Sequence, residues 1–159
     1  MADVKGNDDP VQNKAFNLTT RKNFRDHKEK RDEHLKSIAS TLGFSLTLVC
    51  DYANMNKVAA ARGYENRSGE VVWGSYLEHI ANLVKGFCED SMNKEALTSA
   101  LKAKSRLVIR TNDKDELPTY NNIRVRDGEL VLEFKSDSFW CNVDSIDNDD
   151  GKKMLEGSL

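Results

Sequence analysis

Three histidines, three cysteines and 26 carboxylates are the groups through which this chain could do acid–base, nucleophilic or metal chemistry. His27 and His34 stand seven residues apart and can share a helix face, but the i, i+4 histidine spacing of a helical zinc site is absent. Cys50, Cys88 and Cys141 are widely spaced and form no C-x-x-C pair, which suits reduced, packed thiols rather than a redox or zinc site. The acidic run around Gly151 fails the calcium-loop test, because a loop built on that glycine would begin at Ile146 and end at Gly157, neither of which supplies a side-chain oxygen. No metal and no cofactor is expected.

The nine glycines are scattered, with no G-x-G-x-x-G and no Walker loop, so the backbone offers no phosphate cradle. Gly74-Ser75-Tyr76 is the nearest string to a nucleophile elbow, and it lies inside a helical stripe. A cysteine–histidine pair formed only by folding, for example His79 with Cys88, is the nucleophilic combination left open, and with Trp73 these residues mark a candidate pocket between helix and sheet. The balance leans away from an enzyme.

Basic residues give the second set of candidates. From Arg21 to Lys36 the chain holds seven Lys or Arg against four acids, including Arg21, Lys22, Arg25, Lys28 and Arg31, a local net of +3. The acids stand at helical partner spacings, as on a self-paired solvated helix. Arg124, Arg126 and Trp140 are candidates for the polar face of a sheet, where arginine and an aromatic could receive a protein partner or stack on single-stranded nucleic acid.

The elements that must position these residues are legible from periodicity. Thr19 or Thr20 can cap a helix of about 22 residues that runs from Arg21 to Gly43, whose first half carries only Phe24 as a large apolar residue and reads as projecting into solvent or lying shallowly on the body. Phe44 to Cys50 fits strand or helix and is taken as a strand, with Asp51 capping a short helix that stops at Gly63. Trp73, Tyr76, Leu77, Ile80, Val84 and Phe87 repeat at three and four and form the strongest helical stripe, followed by a helix capped near Asp90.

After Lys104 the period changes to two. Arg106 to Arg110 reads as a strand, and Ile123–Arg126 with Glu129–Phe134 read as a hairpin joined by Asp127-Gly128 in a type I′ turn. That turn pairs Arg126 with Glu129, Val125 with Leu130, Arg124 with Val131 and Ile123 with Leu132, leaving one apolar face and one charged face. Phe139 to Val143 is the expected last strand.

The expected fold is α+β in two layers, N-terminal helices packed on a C-terminal antiparallel sheet of about four to five strands. Residues 1–15 read as a flexible tail, 16–146 as a single domain and 147–159 as an acidic flexible tail.

With 159 residues, 38% hydrophobic and 31% charged, the composition is that of one ordinary globular domain. A net charge of −2 is less basic than a dedicated nucleic-acid coat. The N-terminal residues lack the apolar run of a secretory signal, and no window approaches a membrane span, which together predict a soluble cytoplasmic protein without a membrane partner. The function these observations favour is a non-catalytic protein-interaction or regulatory module, acting on a protein partner or a second copy of itself. A small-ligand binder or enzyme with a cavity between helix and sheet, and weak nucleic-acid binding through the basic first helix, are the alternatives.

Overall fold

The computed structural model describes residues 9–159, so the first part of the expected N-terminal tail lies outside the described residues. Within residues 9–15, Asp9 accepts the backbone N–H of Gln12 (3.0 Å), Pro10 is buried and Val11 packs against the core.

The first long helix is two helices. Asn17, rather than Thr19 or Thr20, caps α1 (Leu18–Asp26) by accepting the N–H of Thr20 at 2.7 Å, and α2 (Lys28–Leu42) begins after a break at His27. Gly43 ends α2 in the left-handed conformation (φ 86°), as a C′ glycine should. The break lets α1 dock rather than project: Phe24 and Thr20 are fully buried, Thr20 Oγ1 donates to the Glu65 carbonyl (3.1 Å), and Asn23 Oδ1 accepts the N–H of Glu70 (2.8 Å). Gly69 permits this approach, since a Cβ there would lie 2.6 Å from the Phe24 backbone. Phe24 then meets Tyr52 and Trp73 edge-on at 5.5 and 4.9 Å between ring centroids.

β1 (Thr47–Cys50) leads into α3 (Tyr52–Ala61), capped by Asp51 through the N–H of Asn54 at 3.0 Å. The helical stripe starts as a π-helical segment, Glu70–Tyr76, and continues as α4 (Leu77–Phe87). Trp73, Tyr76, Leu77, Ile80, Leu83 and Val84 have no exposed surface. α5 (Ser91–Leu101) is capped by Asp90, whose carboxylate accepts the N–H groups of Met92 and Asn93.

The sheet comprises β1, β2 (Arg106–Thr111), β3 (Asn121–Arg126) and β4 (Glu129–Phe134) in the order β1-β2-β4-β3. Two layers and four strands agree with the expected α+β architecture, but the sheet is mixed rather than antiparallel. β1 and β2 are parallel because α3, α4 and α5 carry the chain back between them. β2 and β4 are parallel because the chain passes to the edge as β3 before the hairpin returns it beside β2. The hairpin alone is antiparallel, with the register expected from its turn: Arg126 opposite Glu129 through Asn121 opposite Phe134. Asp127 and Gly128 hold φ of 52° and 77°, the left-handed pair a type I′ turn needs.

No strand forms at Phe139–Val143. Short 3₁₀ turns at Ser136–Ser138 and Val143–Ser145 flank that segment, and its carbonyls at Cys141 and Asn142 accept hydrogen bonds from the Asn121 side chain at 2.7 and 3.0 Å. The place beside β3 is taken by α6 (Asp149–Gly157), formed by residues expected to be an acidic flexible tail. Asn148 caps α6, its first-turn acids Asp149 and Asp150 suit the positive end of a helix, and Leu155 is fully buried. Ser158 Oγ accepts the outward N–H of Val125 (2.8 Å), satisfying part of the edge. One connected core runs from Phe16 to Leu155, with Leu48, Leu107, Ile109, Leu130 and Leu132 on the sheet's inner face. Among the described residues, no helix is long and apolar enough to cross a membrane.

Candidate functional site

Among the described residues, no helix covers the other face of the sheet. Alternation along the strands sends Val49, Val108 and Val131 to this outer face, where they form a separate small cluster that includes no helix residue. The same alternation places Arg106 and Arg110 of β2, Glu129 and Glu133 of β4, and Arg124 and Arg126 of β3 around them. The valines are only 1–6% exposed, so the stems of their long polar neighbours lie over them.

Glu133 is the centre of this face and has no exposed surface. Its Oε1 accepts from Arg110 Nε (3.0 Å) and Nη2 (2.6 Å) and, more distantly, from Arg126 Nη1 (3.5 Å), while Oε2 accepts from Arg124 Nη2 (2.9 Å). Burial by itself pushes the Glu133 carboxyl up; the hydrogen bonds and charge of Arg110, with Asn112 and Arg124, outweigh it and hold the group below the ordinary glutamate value. The three arginine side chains remain 25–34% exposed, so their outer donors face water.

Arg126 faces Glu129 in register but does not pair with it. It turns toward Glu133 and Asp115, and Glu129 Oε1 instead forms an ion pair with Arg106 Nη1, 2.9 Å away across the β2–β4 pair. A concavity of about 620 Å³ is lined here by Lys104, Arg106, Arg110, Arg126, Glu129 and Glu133, among others.

Of the residues singled out from sequence, Arg124 and Arg126 belong to this face, and Trp140 does not. Trp140 holds a left-handed backbone (φ 64°) and packs in the helical layer, edge-on to Tyr64 (5.3 Å) and beneath the Arg67 guanidinium (4.4 Å). Its backbone N–H donates to Tyr76 Oη (2.7 Å) and its indole N–H to Ser75 Oγ (3.3 Å).

The basic helix residues are divided over α1 and α2. Arg21 is half-buried, Lys22 and Lys28 are exposed, Arg25 lies 3.7 Å from Asp26, and Arg31 is held by Asp32 (2.9 Å) and stacks over the Trp73 ring at 4.5 Å. Lys30 pairs with Glu33 at 3.2 Å, so the helix surface is laced with its own counter-charges.

Trp73, His79 and Cys88 lie at separate points along one helical run, each with different neighbours. Trp73 is fully buried, donates its indole N–H to Tyr52 Oη (2.9 Å), and walls a groove of about 410 Å³ between α2 and β1 with Arg31, Leu35, Leu46 and Leu48. His79 Nδ1 stands 2.9 Å from Asp147 Oδ1, and Asn82 Nδ2 donates to the other oxygen of Asp147 (3.2 Å), tying α4 to the segment before α6. Cys88 is half-buried at the end of α4, where burial pushes its thiol up and away from reactivity.

Arg106, Arg110, Asp115 and Glu133 escaped the sequence reading as site residues. The signal was present in β2, whose Arg-x-Val-x-Arg spacing repeats at two and puts both arginines on one face with Val108 between them. No known family model, curated protein or solved structure matches the chain.

Proposed function

We propose that this chain is a non-catalytic protein-interaction module that receives an acidic segment of a partner protein on the outer face of its sheet. The observation that carries this reading is the gathering of Arg106, Arg110, Arg124 and Arg126 on a sheet face that no helix covers among the described residues. Arginine is enriched at protein interfaces because its planar fork binds carboxylates through two parallel donors, and its stem covers apolar surface. A face of this kind steers an acidic partner into register more than it adds raw affinity.

Two features favour a protein over single-stranded nucleic acid. Trp140 lies in the helical layer and is not available on this face as a stacking platform, and Glu129, Glu133 and Asp115 interrupt the positive charge that a continuous phosphodiester backbone would follow. The groove beside Trp73 supports a second reading as a small-ligand site, because its volume lies within the usual range for such pockets and its lining combines Leu35, Leu46 and Leu48 with Arg31 and Tyr52.

The test is an NMR titration of the isotope-labelled chain with a short Asp/Glu-rich peptide at low and high salt. Amide shifts grouped at Val108, Arg110 and Val131, weakened by salt and by Arg106→Glu, are expected. Shifts confined to the Trp73 groove would transfer the assignment to that site, and an unresponsive sheet face would end the proposal.

A further inference from the structure

The loop between β2 and β3 brings a carboxylate onto the arginine cluster. Asn112 organises the turn: its side-chain oxygen accepts the N–H groups of Lys114 (3.2 Å) and Asp115 (3.1 Å), and its amide donates to Asp115 Oδ2 (2.9 Å). That oxygen lies 3.6 Å from Arg126 Nη1 and 4.0 Å from Arg124 Nη2, with the Asp115 side chain 54% exposed. Charge-assisted bonds from a guanidinium to a carboxylate are normally about 2.7–2.9 Å. The two arginines thus surround a space that Asp115 occupies loosely, and Arg124 Nε is buried with no hydrogen-bond partner among the described residues.

The charge is also incompletely matched. Arg110, Arg124 and Arg126 are set against Glu133, which leaves two positive charges, and Asp115 cancels only one of them. A phosphorylated serine or threonine carries roughly −1.5 to −2 and three strong acceptor oxygens on a tetrahedral centre wider than a carboxylate. It suits both the residual charge and the width of the gap. A single such group also avoids the repulsion that Glu129 and Glu133 would exert on a run of phosphates.

We propose that Arg124 and Arg126 form a subsite for the phosphoryl group of a phosphorylated serine or threonine in the acidic partner segment, with Asp115 as an internal stand-in that the phosphoryl group displaces. This rests on the reading of the outer face as the partner surface. A second concavity of about 650 Å³ between β3 and α6 shares Asp115, Arg124 and Arg126 with this subsite and adds Lys153 and Ser158, giving the peptide on one side of the phosphorylated residue a place to continue.

The experiment measures binding of three fluorescent octapeptides to the full chain by anisotropy. They are identical and Asp/Glu-flanked except for a central phosphoserine, serine or glutamate, and inorganic phosphate serves as competitor. The phosphoserine peptide should bind about tenfold more tightly than the glutamate peptide, the factor expected from one or two added charge-assisted hydrogen bonds. Asp115→Asn should tighten phosphoserine binding by about threefold or more, because an internal competitor is removed. Arg126→Gln should erase the preference for phosphoserine, with circular dichroism confirming that both variants fold.

Equal affinity for the phosphoserine and glutamate peptides, or no gain in Asp115→Asn, overturns the subsite while the acidic-partner reading stands. Free phosphate that competes as well as the phosphopeptide overturns the peptide source. Failure of all three peptides to bind overturns the subsite together with the reading on which it rests.

Discussion

Glu133 and Phe134 are adjacent in β4, neither exposes any surface, and they are buried by opposite means. Phe134 points to the inner face and meets Tyr76 at 5.2 Å and Phe139 at 6.0 Å between ring centroids. Glu133 points to the outer face and is enclosed by three guanidiniums. Burying the phenyl ring gains roughly 1.5–3 kcal/mol of transfer free energy. Burying the carboxylate exchanges a large desolvation cost for ion pairing of similar size, so its net gain is small. The inner face is therefore organised for stability, whereas the outer face arranges charge at little net gain, a surface suited to recognition.

Loss of the apolar side should have the largest effect. Phe134→Ala should cost about 3–5 kcal/mol in urea unfolding, through lost transfer free energy and the cavity left between Tyr76 and Phe139. A loss below about 1 kcal/mol would mean that the inner face is not the stabilising one.

Glu133→Gln should cost less, about 2 kcal/mol. Removing one partner of an enclosed pair typically costs 3–5 kcal/mol, but here the arginines keep 25–34% of their side-chain surface in water and can rehydrate. An unchanged midpoint would show that the cluster does not hold the strands together.

Acid titration sharpens the same contrast. The folded pKa of Glu133 lies below its ordinary value of 4.5, so the stability it contributes is fully present above 4.5 and is lost as the pH falls through the depressed value. Wild type should lose unfolding free energy below that point, and Glu133→Gln should lose less of it. Asp113 and Asp115 are also held low, by Ser136 and Asn112 respectively, and both proteins retain them, so the difference between the two curves isolates Glu133. Parallel curves would refute the assignment.

The smallest effect belongs to Arg106→Gln. Its pair with Glu129 is 42% exposed on the arginine side, and loss should be within about 0.5 kcal/mol by thermal unfolding. The same substitution should weaken binding of an acidic peptide, which separates recognition from stability at a single residue.

Local chemistry was the legible part of this fold. Asp51 and Asp90 cap α3 and α5, Gly43 ends α2, and Asp127-Gly128 sets the hairpin register, because each acts within a few residues of itself. The stripe from Trp73 to Phe87 was readable from periodicity, whereas Phe44 to Cys50 fitted two periods and was taken as a strand on its β-branched residues and the flanking Gly43, of which Thr47–Cys50 forms one. The break at His27 was not, and the contact that goes with it, Gly69 against the backbone of Asn23 and Phe24, joins residues 45 and 46 positions apart. Trp140 was misplaced for a related reason: alternation assigns a face only to residues that form a strand, and Asn121 instead ties that segment down as turns.

The candidate site divides in the same way. Arg124 and Arg126 could be placed on one face from the hairpin alone, and Arg106 and Arg110 share a face by spacing. That Arg110 meets Arg124 and Arg126 around Glu133 depends on β4 entering between β2 and β3, which no local pattern specifies.

The sequence by itself determined the helix ends set at Gly43, Asp51 and Asp90, which strand residues point the same way, and that one face of the hairpin would be apolar and the other charged. These follow from backbone periodicity and side-chain capping, whose range is a few residues. Only the tertiary structure decided that β1 and β2 lie parallel, that the acidic C-terminal residues fold as α6 beside β3, and that Arg110, Arg124 and Arg126 converge on one buried carboxylate with Asp115 beside them. Those outcomes depend on which distant segments pack together, and that choice rests on the summed burial of the whole core.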